Sequence, residues 1–213
     1  MKNINYLIKG IYAGVMIGIG GIAYLSITNK IIGAFIFSIG LISICIYNMN
    51  LYTGKIGYIL NNKPSYIFEL LFTLIGNFIG AFLVGNLINL TRFNNLSNVA
   101  KEISIIKLND SELSIFILSV FCGILMYIAV NTFKKYEKGI EKIICIFICV
   151  ICIFICVICF ILCGFEHCIA NIFYFSIANI WNINTIYYLL LMILGNSIGS
   201  ILMSLYNNNF MNK

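Results

Sequence analysis

Charge is what this sequence has least of. Only 9% of its 213 residues are Asp, Glu, Lys or Arg, where a soluble domain carries roughly 25%. A water-soluble fold with polar helix faces is therefore excluded. Proline occurs once, at Pro64, and histidine once, at His167. The lone proline rules out repeated proline-bearing loops, and the lone histidine rules out multi-histidine metal sites. Alternating apolar and polar residues are missing from the greasy stretches, which argues against an outer-membrane barrel. The net charge of +6 reads as a bias between loops and gives no reason to expect nucleic-acid binding.

What is there is apolar: 62% of the chain is hydrophobic. Six runs stand out, at 11–27, 31–47, 67–90, 113–130, 143–165 and 186–205. A spanning helix needs about 20 apolar residues, and these runs reach that length with their flanks. The first run has no small-residue cleavage site and five similar segments follow it, so it does not read as a removable signal peptide. The expectation is an all-α, multi-pass membrane protein, one domain over 1–213. Orientation follows from basic residues. With the N-terminus inside, the inner side receives Lys2, Lys9, Lys63, Lys134, Lys135, Lys138, Lys142 and Lys213. The outer side receives Lys30, Arg92, Lys101 and Lys107, while Lys55 lies within an interrupted helix. Both termini are expected on the cytoplasmic side of a cell inner membrane.

The runs also carry an internal echo. Gly76-Asn77-Phe78-Ile79-Gly80 in the third run matches Gly195-Asn196-Ser197-Ile198-Gly199 in the sixth. Ala13-Gly14-Val15-Met16 echoes Cys122-Gly123-Ile124-Leu125. The second run is interrupted at Leu51-Tyr52-Thr53-Gly54 and the fifth at Gly164-Phe165-Glu166-His167, in corresponding places. Three helices per half place the second copy upside down, so the expected fold is an inverted 3+3 repeat of six transmembrane helices. Its halves are roughly 1–95 and 96–213, and its second and fifth helices are broken, an aquaporin-like architecture. Such folds put the substrate site near the midplane on the broken helices, where irregular backbone lines a cavity. Gly10, Gly14 and Gly18 mark a closely packed first helix. Residues 91–112 read as a polar loop and 133–142 as a basic connector. Cys145, Cys149, Cys152, Cys156, Cys159 and Cys163 form a stripe on the fifth helix. That spacing suits small packing residues better than disulfides, metal or cofactor ligation.

The ionisable pair Glu166-His167 at the end of an apolar run is a functional-site candidate on cost alone. The stretch Gly164-Phe165-Glu166-His167-Cys168-Ile169-Ala170-Asn171 resembles the signature of the formate/nitrite transporter family, which includes hydrosulfide channels. Leu51-Tyr52-Thr53-Gly54 is similar to that family's Leu-Phe-Thr loop. The resemblance implies pore-narrowing apolar residues at Phe37, Leu41, Leu51 and Phe160, a vestibule lysine at Lys107, and pore asparagines at Asn171 and Asn196. It also implies a homopentamer with a pore in each protomer. The chain departs from the family at Gly123, usually Asn, and at Asn131, usually Trp. The family's cytoplasmic N-terminal extension is nearly absent, which bears on gating by that segment.

The chemistry that follows concerns a small inorganic or carboxylate anion. A bare charge at the bilayer centre costs at least about 2.5–3.5 kcal/mol. Formate, nitrite and hydrosulfide are conjugate to weak acids, so one proton removes the charge. An imidazole with an intrinsic pKa near 6.5 suits the sharing of that proton. Lys107 would attract the anion, the apolar residues would strip its water, and His167, Thr53 and Asn171 would meet it. Glu166 is read as orienting the backbone or fixing the histidine tautomer. One alternative is an aquaporin-like neutral-solute channel, which depends on two Asn-Pro-Ala loops absent here. The other is a membrane redox or metal protein built on the cysteine stripe. No enzyme activity and no cofactor are expected.

Overall fold

A computed structural model describes residues 2–135 and 142–211. Lys138 and Lys213 of the orientation argument lie outside the described residues, as do the side chains of Lys135, Lys142 and Cys145. Among the described residues all regular structure is helical. In chain order the elements are α1 (Lys2–Ser26), α2 (Lys30–Ile46), α3 (Tyr52–Lys55) running into a 3-10 turn (Ile56–Asn61), and α4 (Tyr66–Ile88). Then come α5 (Leu96–Leu108), α6 (Glu112–Lys135), α7 (Lys142–Leu162), α8 (Cys168–Ile177) and α9 (Ile183–Tyr206). Among the described residues four helices, α1, α4, α6 and α9, are long and apolar enough to cross a membrane. α2 and α8 are shorter apolar helices.

Their ends follow from local chemistry. Asn29 caps α2 by accepting from the N–H groups of Ile31 and Ile32, and Asn182 caps α9 by accepting from Thr185. Both satisfy backbone donors that a helix start leaves unpaired.

The bundle is apolar outside, and its mainly apolar core holds a set of polar side chains. Ile75, Leu83, Ile117, Ile151, Leu190 and Leu194 are exposed, whereas Thr53, Asn77, Glu166, His167, Asn171 and Asn196 are buried. Hydrocarbon rather than water is the solvent that tolerates this arrangement. α1 packs on α4 and α6 on α9 with backbones in near contact. A Cβ at Gly14 would sit 2.3 Å from the Asn77 carbonyl oxygen, and one at Gly123 would sit 2.2 Å from that of Asn196. Thus the two echoed glycines do equivalent work, and at this helix spacing position 123 has no room for the asparagine that the family resemblance leads one to expect.

One expectation is corrected. Residues 91–112 are not a loop throughout, since Leu96–Leu108 forms α5. The segment contains no Pro or Gly to stop a helix, and Leu96, Ala100 and Ser104 at four-residue spacing are buried, consistent with a helix face turned inward.

Candidate functional site at the paired helix breaks

The centre of the molecule is made by two chain breaks of the same construction. α2 stops at Asn48, whose φ of 49° is left-handed. The Met49 N–H then donates to Ile44 O at 2.9 Å and the Asn48 N–H to Cys45 O at 3.2 Å. α7 stops identically at Gly164, φ 69°, with the Phe165 N–H donating to Phe160 O at 2.8 Å and the Gly164 N–H to Ile161 O at 3.2 Å. This pattern closes a helix and sends the chain off at an angle. Three residues later each break has an extended residue, Leu51 (φ −102°, ψ 126°) and His167 (φ −96°, ψ 112°), opening α3 and α8.

Broken helices leave backbone groups that must be satisfied by protein where no water is available. One asparagine does this at each break. Asn77 on α4 accepts from the Tyr52 N–H at 2.8 Å, and its amide donates to Asn50 O and Gly10 O, both at 2.8 Å. Asn196 on α9 accepts from the Cys168 N–H at 2.9 Å and donates to Glu166 O at 2.7 Å and Ser119 O at 2.8 Å. The Asn196 side chain, a pore asparagine by the family resemblance, is engaged in holding the second break. Asn77 was not among the expected site residues, although the repeated Gly-Asn-x-x-Gly pattern pointed to it.

His167 bridges the two breaks. Its Nδ1 accepts from the Ala170 N–H at 3.1 Å, capping α8, while Nε2 lies 3.0 Å from Thr53 Oγ1 on α3. A nitrogen that accepts carries no proton, so the ring's proton is on Nε2 and faces the threonine. The tautomer is therefore set by Ala170 rather than by Glu166. Glu166 is bonded elsewhere. Its Oε2 accepts from Lys107 Nζ at 2.6 Å and from Asn171 Nδ2 at 2.8 Å. Lys107, on the last turn of α5, is ion-paired and largely buried, with 13% of its side chain exposed. Asn171 also donates to His167 O at 3.1 Å, leaving its buried Oδ1 without a protein partner.

Two cavities approach this point. One, of about 240 Å³, is bounded by Lys107, Asp110, Phe160, Glu166, His167 and Asn171, among others. The other, of about 320 Å³, is bounded by Met49, Leu51, Lys55, Val130, Phe133 and Lys134, among others. They share no lining residue. Phe37, Leu41 and Thr53 are buried and line neither. Phe160 stacks on the imidazole at 5.6 Å and meets Phe37 edge-on at 6.0 Å. Phe37, Phe160, His167 and Thr53 are thus linked by contact, and Phe37, Leu41, Leu51 and Phe160 belong to one buried apolar cluster, a partition into which the polar His167–Thr53 pair is set.

Away from the partition, Lys55 forms an ion pair with Glu69 on α4. Asn131, another departure from the family, accepts from the Tyr58 hydroxyl at 3.0 Å. Along α7, Cys149 and Cys156 are buried, Cys152 and Cys159 half-buried and Cys163 exposed. Cys149 and Cys152 turn their sulfurs toward Thr132 on α6. Among the described residues no metal-binding cluster of His, Cys, Asp or Glu forms.

A bundle with an apolar exterior, buried polar groups at two helix breaks and a cavity beside each break fits the class of membrane channels and transporters. The chain is a member of the formate/nitrite transporter family, whose profile matches residues 1–208. It is 27% identical over 210 residues to a formate-nitrite transporter of Plasmodium falciparum (isolate 3D7), covering 83% of this chain and 66% of that protein. The chain thus spans slightly under two thirds of that relative's length. A pentameric formate channel with formate bound superposes with a TM-score of 0.82 at 24% identity, covering 100% of this chain and 98% of that one. An FNT family ion channel superposes with a TM-score of 0.74 at 18% identity, over 95% and 87% of the two chains. At these identities the structural likeness is one of fold.

Proposed function

We propose that this protein is a channel for a small monovalent weak-acid anion such as formate, nitrite or hydrosulfide. The observation that carries this reading is the contact of His167 Nε2 with Thr53 Oγ1 inside the apolar partition. An anion reaching that point loses water to Phe37, Leu41, Leu51 and Phe160. It gains the Nε2–H and the threonine hydroxyl as donors. Bare charge still cannot cross the apolar ring cheaply. While the anion is held by the Nε2–H, a hydronium proton from the bulk solution, relayed through the cavity, converts it to the neutral acid and leaves water behind. The acid passes the partition and returns the proton on the far side. Glu166 and Lys107 neutralise one another beside this path, and Asn171, through its unpartnered Oδ1, is an acceptor for the acid's proton-bearing oxygen or sulfur.

The scaffold we infer is an inverted 3+3 repeat of six spans within one domain, broken in its second and fifth helices. Equivalent closures at Asn48 and Gly164 and equivalent roles for Asn77 and Asn196 support it. We further infer a homopentamer in a cell inner membrane with both termini in the cytoplasm. Native mass spectrometry in detergent tests the assembly, and reporter fusions at each end test the orientation. The function is tested in proteoliposomes by comparing entry of formate, nitrite and hydrosulfide with entry of glycerol. Anion entry well above protein-free vesicles is expected; glycerol entry without anion entry refutes the proposal.

A further inference from the structure

We propose that Ser200 and the Lys55–Glu69 ion pair are positioning residues, which hold the Thr53 hydroxyl against His167 and thereby set the rate of anion passage. The effect on rate rests on the reading of the protein as an anion channel. The two partners in the His167–Thr53 contact are held in different ways. His167 caps its own helix through Nδ1, and that helix, α8, runs ten residues. Thr53 has no such local support. α3 is four residues long, and no side chain caps its start. A single turn fixes several backbone torsions for very few hydrogen bonds, so it does not stay formed by itself.

Neighbouring helices supply what α3 lacks. On one side stands α9. The fully buried Ser200 shares its hydroxyl between Gly123 O at 2.9 Å and Thr53 O at 3.2 Å. Ser197 donates to Ile193 O at 2.6 Å. Its single proton is thus engaged, and the Tyr52 hydroxyl, 2.9 Å from the Ser197 oxygen, is the donor in their contact. On the other side stands α4. Glu69 pairs with the Lys55 ammonium, and the Tyr66 hydroxyl donates to Lys55 O at 3.1 Å. Gly54 faces α6, where a Cβ would sit 2.8 Å from Val130 Cγ2, so the turn has no room to slide that way. Every residue of α3 is therefore tied to, or pressed against, another helix. Loosening these ties moves Thr53 and leaves His167 on its own cap.

The lone histidine makes this measurable, since isotopic labelling of histidine nitrogen reports one imidazole. Magic-angle-spinning NMR of the full chain in lipid reads the Nε2–H proton and Nδ1 separately. Ser200→Ala and Glu69→Gln are each expected to move the Nε2–H resonance toward its position in Thr53→Val, which lacks the hydroxyl, with Nδ1 unchanged. Formate entry into proteoliposomes should fall about two- to tenfold in each, the size of one hydrogen bond. It is measured at high salt, where the charge of Lys55 bared by Glu69→Gln attracts little. In a Thr53→Val background neither substitution should slow entry further, because the group they position is gone. The two variants loosen α3 from different helices, so if one does not fold the other decides. A parent-like Nε2–H resonance in a folded variant, or a further loss on top of Thr53→Val, overturns the proposal. Formate entry absent from the parent, while the resonance still follows Ser200 and Glu69, overturns the channel reading instead and leaves the anchoring of Thr53 standing.

Discussion

Replacing His167 separates its two bonds. Nδ1 caps α8 by accepting from Ala170, and Nε2–H faces Thr53. Asparagine is among the best N-cap residues, so His167→Asn keeps the first bond. Its side chain is too short to reach Thr53, so it loses the second. His167→Ala loses both. Loss of a cap costs about 0.5–2 kcal/mol, so the alanine variant should melt a few degrees below the parent and the asparagine variant close to it. A hydrogen bond to a charged group contributes about 1.5–3 kcal/mol. If the anion takes that bond at the barrier, His167→Asn should slow formate entry by about 10- to 150-fold. Initial rates in proteoliposomes, normalised to correctly assembled protein, measure this. The pH profile is a second readout. A proton arriving at Nδ1 would set two N–H groups against each other, so in this geometry the ring does not supply the titration. The profile should follow protonation of the substrate, and His167→Asn should lower its amplitude without moving its shape between about pH 5 and 8, the histidine window. Parent-like rates in His167→Asn would refute the donor role. A melting point as low as that of His167→Ala would refute the cap argument, and a displaced profile would show that the ring titrates after all.

The ion pair and the packing give further tests. Lys107→Gln strands the buried Glu166 carboxylate and should destabilise by about 3–5 kcal/mol, most of it recovered in the double variant with Glu166→Gln. Because the pair is buried, any effect of Lys107→Gln on formate entry should be equal at low and high salt; a loss that fades with salt would restore a long-range steering role. Asn196→Ala and Asn77→Ala each remove three hydrogen bonds, and at the roughly 0.6 kcal/mol average for bonds in membranes each should cost about 2 kcal/mol or more, read as thermal shifts in detergent. Gly123→Asn should force α6 and α9 apart and cost about 1–3 kcal/mol by overpacking; a variant as stable as the parent would show that the helices are not held at the observed spacing.

Much of the site was legible because membrane sequences cannot hide polar groups. Within an apolar run, Asn77, Glu166, His167, Asn171 and Asn196 stand out, and each is buried in the core. The breaks were visible for the same reason, as Asn and Gly interrupting greasy helices. Roles were less legible than positions, since they depend on which atom faces which. Nothing in the spacing of Glu166 and His167 says that the backbone of Ala170 sets the tautomer, or that Lys107 reaches across from α5 to take the carboxylate. α5 itself was missed because its apolar residues are only partly apolar in sum: Leu96, Ala100 and Ser104 carry a helical period, not a hydrophobic run.

The matched construction of the two breaks makes their difference informative. Asn48 and Gly164, Leu51 and His167, Asn77 and Asn196 occupy like places, so the backbone problem is solved in the same way twice. Their side chains, however, differ. Where the first break has Asn50 and Leu51, the second has Glu166 and His167. The helices that follow differ as well. α3 is a single turn that passes into a 3-10 segment, whereas α8 runs ten residues. A helix must have some length before its aligned peptides place appreciable positive charge at its start. Only α8 meets that condition, and its start is where His167 sits. On the proposed reading an anion at the partition would lie beside the start of α8 and the Thr53 side chain of α3, a polarity that a strictly symmetric pair of breaks could not provide.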